Sequence, residues 1–249
     1  MSGEPWFHVG VFRHGRSTYR QLEVAPADAH DLTEDGVETV LGSGRAFLAG
    51  RRPRRAVIHT SPMGRTLHTA RLLARVLAEH DVAVEGPRIE PELTEVHGFS
   101  WALFDPLVLG GEARHEGRSC PVDVRVTNPG GLGHQEYFFF DHAHRLPAGA
   151  LPGWYAAALA RFERASAARA RLLAFLRRAT AHDEGREVLL VTHEGLIQGL
   201  MDRYSGGACR GLPPGQCVHL VRGPGGLFVR RAGEDVPGDP ALDLLGDAR

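Results

Sequence analysis

The run Val9-Gly10-Val11-Phe12 stops at an arginine, a histidine and a glycine, Arg13-His14-Gly15. The run reads as a buried strand. The glycine lets the backbone turn tightly, so imidazole and guanidinium are left at the strand's carboxyl end, where open α/β sheets place ligands. The same arrangement recurs twice. Ala56-Val57-Ile58-His59-Thr60 is followed by Ser61-Pro62 and then Arg65, and Val188-Leu189-Leu190-Val191 is followed by Thr192-His193. In a parallel sheet with right-handed crossovers these three ends share one edge. Arg65 falls in the first turn of a predicted helix, and its side chain can reach back over that edge because helical Cα–Cβ bonds tilt toward the amino terminus. The helix end adds free N–H groups and a positive dipole. Two arginines and two histidines at one point repel each other unless an anion sits among them, and arginine forks match phosphate oxygens in pairs. The expected chemistry is transfer of a dianionic phosphoryl group, with an imidazole able to act as nucleophile without a metal.

The elements that would position these residues can be followed along the chain. Thr33 is a candidate N-cap, with Glu34 and Asp35 behind it, for a helix to about Leu48. Arg51-Arg52-Pro53-Arg54-Arg55 reads as a solvated turn before the second strand. Ser61 would cap the next helix with Pro62 at its first position, and Leu67, Ala70, Leu73, Ala74 and Leu77 form one apolar face to about Glu79. A third strand is expected from Val82 to Ile89. Between Gly98 and Gly153 periodicity fails, glycine and proline accumulate, and the cluster Tyr137-Phe138-Phe139-Phe140 stands out. Such a stretch reads as a lid or binding insertion. One alanine- and arginine-rich helix is predicted from Trp154 to about Thr180, and another from near Glu194. Cys217–Val221 and Leu227–Arg230 read as a hairpin, and the remainder as a loosely held tail. No internal repeat and no second core are apparent, so a single domain, 1–249, is expected.

The 249 residues, 43 % hydrophobic and 24 % charged, suffice for a full core. A formal charge of -1 gives no overall field toward nucleic acid or an acidic membrane. Every cationic side chain of this kind is arginine, because the chain contains no lysine. Schiff-base, P-loop and kinase-type lysine chemistry are thereby excluded. Cys120, Cys209 and Cys217 are odd in number and lack Cys-x-x-Cys spacing, which argues against a disulfide framework or zinc finger and for a reducing compartment. With no basic-then-apolar leader and no run of membrane-span length, a soluble cytoplasmic protein is expected. Its expected partners are a small phosphorylated molecule and a second copy of the chain in a homodimer, with no nucleic acid and no membrane.

Four segments together resemble the histidine phosphatase (phosphoglycerate mutase-like) superfamily. They are Arg13-His14-Gly15, Leu32-Thr33-Glu34-Asp35-Gly36, the run from Ser61-Pro62 through Arg65-Thr66 to Thr69-Ala70, and Val191-Thr192-His193-Glu194-Gly195, in the family's order. The resemblance implies an α/β fold, a three-layer α/β/α sandwich with a mixed, mostly parallel sheet. It implies a phosphohistidine on His14, a phosphate pocket of Arg13, Arg65 and His193, and no cofactor. It also implies an acidic proton donor in a Leu-x-Glu segment after the third strand. Leu93-Thr94-Glu95 matches, so Glu95 is the first choice and Glu92 the alternative. Residues 98–153 would be a substrate cap, and the activity metal-independent hydrolysis of a small-molecule phosphomonoester.

The chain departs from the family's pattern at several points. Where many members carry asparagine it has Arg20, so a phosphate contact is either lost or taken over by another cation, and Glu194 stands where glycine or asparagine is common. The insertion matches nothing in the pattern and leaves the substrate open. Tyr137 and Phe139 either bury an apolar part of the substrate or pack the insertion against the sheet. Asp141, His142 and His144, with His134 and Glu136, lack the spacing of a strong metal motif and read as solvated loop residues. Two alternatives accompany the phosphatase. A mutase would need a second cationic patch, for which Arg20, Arg114, Arg118 and Arg125 are candidates, whereas His14, His193 and the acid argue against a non-catalytic phosphate-binding module.

Overall fold

The computed structural model describes residues 7–18, 31–96, 102–103, 106–107, 110–123, 149–182, 186–205, 212–223, 226–231 and 234–237. In chain order the elements are β1 (Phe7–Arg13), α1 (Glu34–Leu48), β2 (Arg55–Thr60), α2 (Gly64–Ala78), β3 (Ala83–Ile89), a 3₁₀ turn (Pro91–Leu93), β4 (Gly111–His115), β5 (Arg118–Val122), α3 (Gly153–Leu159), α4 (Ala165–His182), β6 (Glu187–Thr192), α5 (Glu194–Ser205), β7 (Cys217–Gly223), β8 (Gly226–Arg231) and β9 (Glu234–Pro237). The chain divides into two compact units, Met1–Glu95 with Arg171–Arg249, and Val96–Ala170.

The first unit holds a seven-stranded sheet in the order β3-β2-β6-β1-β7-β8-β9. From β3 to β1 the strands run parallel, and β7, β8 and β9 continue the sheet by antiparallel pairing. Strand alternation sends side chains to two faces. Phe12, Ile58, Leu189 and Val191 share one face, which α1 and α2 bury through Val40, Phe47, Leu73 and Val76. Val9, Val11, Val57 and Leu190 lie on the other face, all fully buried. There the Phe175 ring of α4 meets the His59 ring of β2 edge-on at 5.2 Å. The result is a helix–sheet–helix sandwich. Burial of each such apolar side chain contributes about 1.5–3 kcal/mol, and together these contacts hold the parallel strand ends in register.

α1 starts where the capping signal puts it. Thr33 Oγ1 accepts from the Gly36 N–H at 3.2 Å, and Glu34 and Asp35 lie in the first turn, where acidic groups complement the free N–H groups. The Thr33 N–H also donates to the Arg16 carbonyl at 2.9 Å, tying the helix to the loop that follows β1. That approach explains Gly36, because a Cβ there would stand 2.3 Å from the Arg16 oxygen.

Four sequence expectations need correction. α2 begins at Gly64 with Met63 as its N-cap residue rather than Ser61, whose Oγ lies 2.9 Å from His193 Nε2 and accepts from the Met63 N–H at 3.4 Å. The single helix predicted from Trp154 is two, α3 and α4. No proline or glycine marks the break; the chain turns so that Phe162 is only 3 % exposed, and the Arg164 carbonyl accepts from the Ala167 and Ala168 N–H groups. The stretch read as irregular contains the β4–β5 hairpin, whose two-residue turn has Glu116 at φ 49° and Gly117 at φ 74°, the positive pair a tight hairpin requires. The stretch read as a tail contributes β9, paired with β8.

Two glycines in one helix provide a test of the loop contact. Gly36→Ala forces an atom against the Arg16 carbonyl and is expected to cost about 1–3 kcal/mol. Gly42→Ala, with nothing within 4 Å of its added carbon, is expected to stabilise by about 0.5–1 kcal/mol. Urea unfolding of both variants checks the difference; equal effects would remove the packing explanation.

Candidate active site

The strand order brings the three expected ends together. β2, β6 and β1 are neighbours, and the ladder continues past them, with the His14 N–H donating to the Thr192 carbonyl at 3.0 Å and the Ser61 N–H to the Val191 carbonyl at 3.1 Å. His14, His193 and Ser61 therefore follow three adjacent strands, and the two imidazoles stand 5.3 Å apart, nearly edge to face.

Arg65 enters from the first turn of α2. Its Nε donates to His14 Nε2 at 3.0 Å and an Nη to His193 Nδ1 at 3.1 Å. Each imidazole then finds a second partner: His14 Nδ1 lies 2.8 Å from the Gly15 carbonyl, and His193 Nε2 lies 2.9 Å from Ser61 Oγ. A carbonyl can only accept and a guanidinium only donate, so His14 carries its proton on Nδ1 and His193 on Nε2. His14 Nε2 thus keeps its lone pair, as a nucleophilic nitrogen must. All three side chains are buried. Burial, and then the charges of Arg65, Arg13 and Arg171, hold the His193 pKa well below its ordinary 6.5.

Thr69 fixes the loop to the helix. Its Oγ1 accepts from the Gly15 N–H at 3.0 Å and donates to the Arg65 carbonyl at 2.8 Å, coupling the backbone beside one site residue to that of another.

Arg13 is held in a different way. One Nη donates to the Leu212 carbonyl at 2.7 Å, and the other meets Glu194 Oε2 at 2.7 Å. Glu194, an unexpected acid from the sequence alone, opens α5 directly after His193 and is itself buried.

Of the two candidate acids, Glu95 is the one near the imidazoles, with Oε2 3.9 Å from His193 Nδ1. Glu92 is paired with Arg178 at 2.6 Å, and a backbone hydrogen bond and that arginine hold its carboxyl below the usual range. Arg114 and Arg118 lie on the β4–β5 hairpin, where Arg114 pairs with Glu112 at 2.6 Å. Arg20, Arg125, Tyr137 and Phe139, like His134, Glu136, Asp141, His142 and His144, lie outside the described residues. Sequence reasoning missed the roles of Ser61, Thr69 and Glu194, although all three sit inside segments it recognised. Among the described residues no helix is long and apolar enough to cross a membrane.

A profile of the histidine phosphatase superfamily, branch 1, matches residues 9–103 and 141–218. The chain belongs to that superfamily. No curated protein sequence matches it. Solved structures share its fold at low identity. A mycobacterial glucosyl-3-phosphoglycerate phosphatase complexed with VO3 aligns with a TM-score of 0.51 and 18 % identity, over 92 % of this chain and 99 % of that one. The Bacillus stearothermophilus protein YhfR gives 0.54 and 20 % over 91 % and 96 %. Phosphoglycerate mutase from Bacillus anthracis gives 0.54 and 19 % over 91 % and 92 %.

The lowered His193 pKa has a measurable consequence. At pH 6.5 His193 is neutral, and a bound dianion opposes the burial and the arginines that keep it so, raising its pKa and drawing a proton from buffer. Calorimetric titration with tungstate, in two buffers of different ionisation enthalpy, should read uptake of up to about one proton, reduced in His193→Asn. Buffer-independent heats would place His193 out of reach of the anion.

Proposed function

We propose that the protein is a metal-independent phosphatase that hydrolyses a small-molecule phosphomonoester through a phosphohistidine on His14. The supporting observation is the bridge from Arg65 to both imidazoles, with His14 Nε2 left deprotonated. Nε2 attacks phosphorus in line with the leaving oxygen; the P–N bond forms as the P–O bond breaks, and Glu95 gives its proton to the departing alkoxide. Water then attacks phosphorus, losing its proton to the same carboxylate, and the P–N bond breaks to release inorganic phosphate. Arg65, Arg13 and His193 neutralise charge on the equatorial oxygens, the main contribution a protein makes to this reaction. Arginine forks supply that charge, so a chelator is expected to leave turnover unchanged.

A neighbouring fold carries the name of a mutase, and the same first half-reaction serves one if a hydroxyl of bound product replaces water. Release of inorganic phosphate in proportion to substrate consumed supports the phosphatase; phosphate moved within the substrate supports the mutase.

The nucleophile and the acid are tested separately. His14→Ala is expected to lose on the order of 10⁴–10⁶-fold in kcat, and the acid-labile label trapped on wild type after quenching with radioactive substrate should be absent from it. Label on a serine or aspartate would end the phosphohistidine reading. Glu95→Gln is expected to lose roughly 10²–10⁴-fold with an alkyl phosphate and far less with nitrophenyl phosphate, whose leaving group hardly needs a proton. An equal loss with both would move the proton donor elsewhere.

A further inference from the structure

The short segment that carries Glu95 is held by side chains at three successive carbonyls. Arg171 of α4 donates from one Nη to the carbonyls of Glu92 and Thr94, the second at 2.9 Å. Thr192 donates from Oγ1 to the carbonyl between them, that of Leu93, at 2.7 Å. A buried carbonyl without a donor costs about 1–3 kcal/mol, and a guanidinium donor makes the stronger, charge-assisted kind of hydrogen bond. Leu93 is fully buried and Thr192 is fully buried, so the middle anchor is dry. The anchors also have a common reference. Thr192 is the last residue of β6 and directly precedes His193, so one residue fixes the height of the acid's loop and the strand end that presents the histidine. Arg171 is close enough to His193 for its charge to act on that ring.

We propose that Arg171 and Thr192 are positioning residues for the proton donor, setting Glu95 beside His193 by clamping the three carbonyls that precede it. The proposal rests on the reading of Glu95 as general acid. An acid transfers its proton only within hydrogen-bond reach of the leaving oxygen, and a misplacement of about 1 Å costs on the order of 100-fold. Neither residue is assigned a contact with the transferred phosphoryl group, so loss of either should imitate loss of the acid and spare a substrate that does not need one.

Arg171→Met, Arg171→Lys, Thr192→Val and Glu95→Gln, with the Glu95→Gln/Arg171→Met double variant, are compared in kcat on glycerol phosphate and nitrophenyl phosphate. Thr192→Val keeps the shape of the side chain and tests the clamp even where Arg171→Met fails to fold. The expected result is a loss of roughly 10- to 100-fold on glycerol phosphate for Arg171→Met and Thr192→Val, and less than about 3-fold on nitrophenyl phosphate. Arg171→Lys should recover part of the loss, and the double variant should be no worse than Glu95→Gln on glycerol phosphate, since two changes acting through one group do not add. Equal loss on both substrates, additive loss in the double variant, or no loss in either single variant overturns the proposal. If Glu95→Gln depends on the leaving group and the clamp variants do not, the proposal alone falls. If Glu95→Gln itself is blind to the leaving group, the general-acid reading falls and carries the proposal with it.

Discussion

Arg65 donates from one guanidinium to two imidazoles, and that bridge constrains what is built around it. Both acceptor nitrogens must be unprotonated, so each ring must carry its proton on the far side and find an acceptor there. Gly15 supplies a carbonyl to His14 and Ser61 supplies a hydroxyl to His193. The bridge also requires residues 14, 65 and 193 to meet, which the adjacency of β2, β6 and β1 provides. Thr69 closes the remaining freedom by bonding both to the loop that bears His14 and to the turn that bears Arg65.

Electrostatics shape the same centre. Burial and several arginine charges keep His193 neutral, while Glu194 engages Arg13 within hydrogen-bonding distance. A carboxylate so close to a pocket arginine offsets part of its positive charge and fixes the plane of its fork, since the fork's other end is held by the Leu212 carbonyl. The unusual acid after His193 is thus tied to geometry as well as to charge.

The distinction between Glu92 and Glu95 shows how environment separates two similar residues three positions apart. Glu92 faces Arg178 and is held ionised by its surroundings, whereas Glu95 lies toward His193. The turn Pro91–Leu93 rotates the chain between them, with Leu93 packed inward as its pivot.

Much of this was legible in the sequence. Short-range rules act through neighbours, so the runs at Val9, Ala56 and Val188, the Thr33 cap and the helical face through Leu73 marked the elements, and Arg-His-Gly, Ser-Pro-x-x-Arg and Thr-His marked the strand ends that meet around Arg65. Helix breaks without proline or glycine, such as that before Arg164, and short strands such as β9 were not legible, because their stability comes from burial and pairing with distant segments rather than from local propensity. The same limit applied within the site. Sequence by itself determined which residue types stand at the three strand ends, two arginines and two histidines suited to an anion. Tertiary structure alone decided that Ser61 serves His193 instead of capping α2, that Arg13 pairs with Glu194, and that Glu95 rather than Glu92 stands by the histidines, because each choice depends on distances between residues that only the packed sheet brings together.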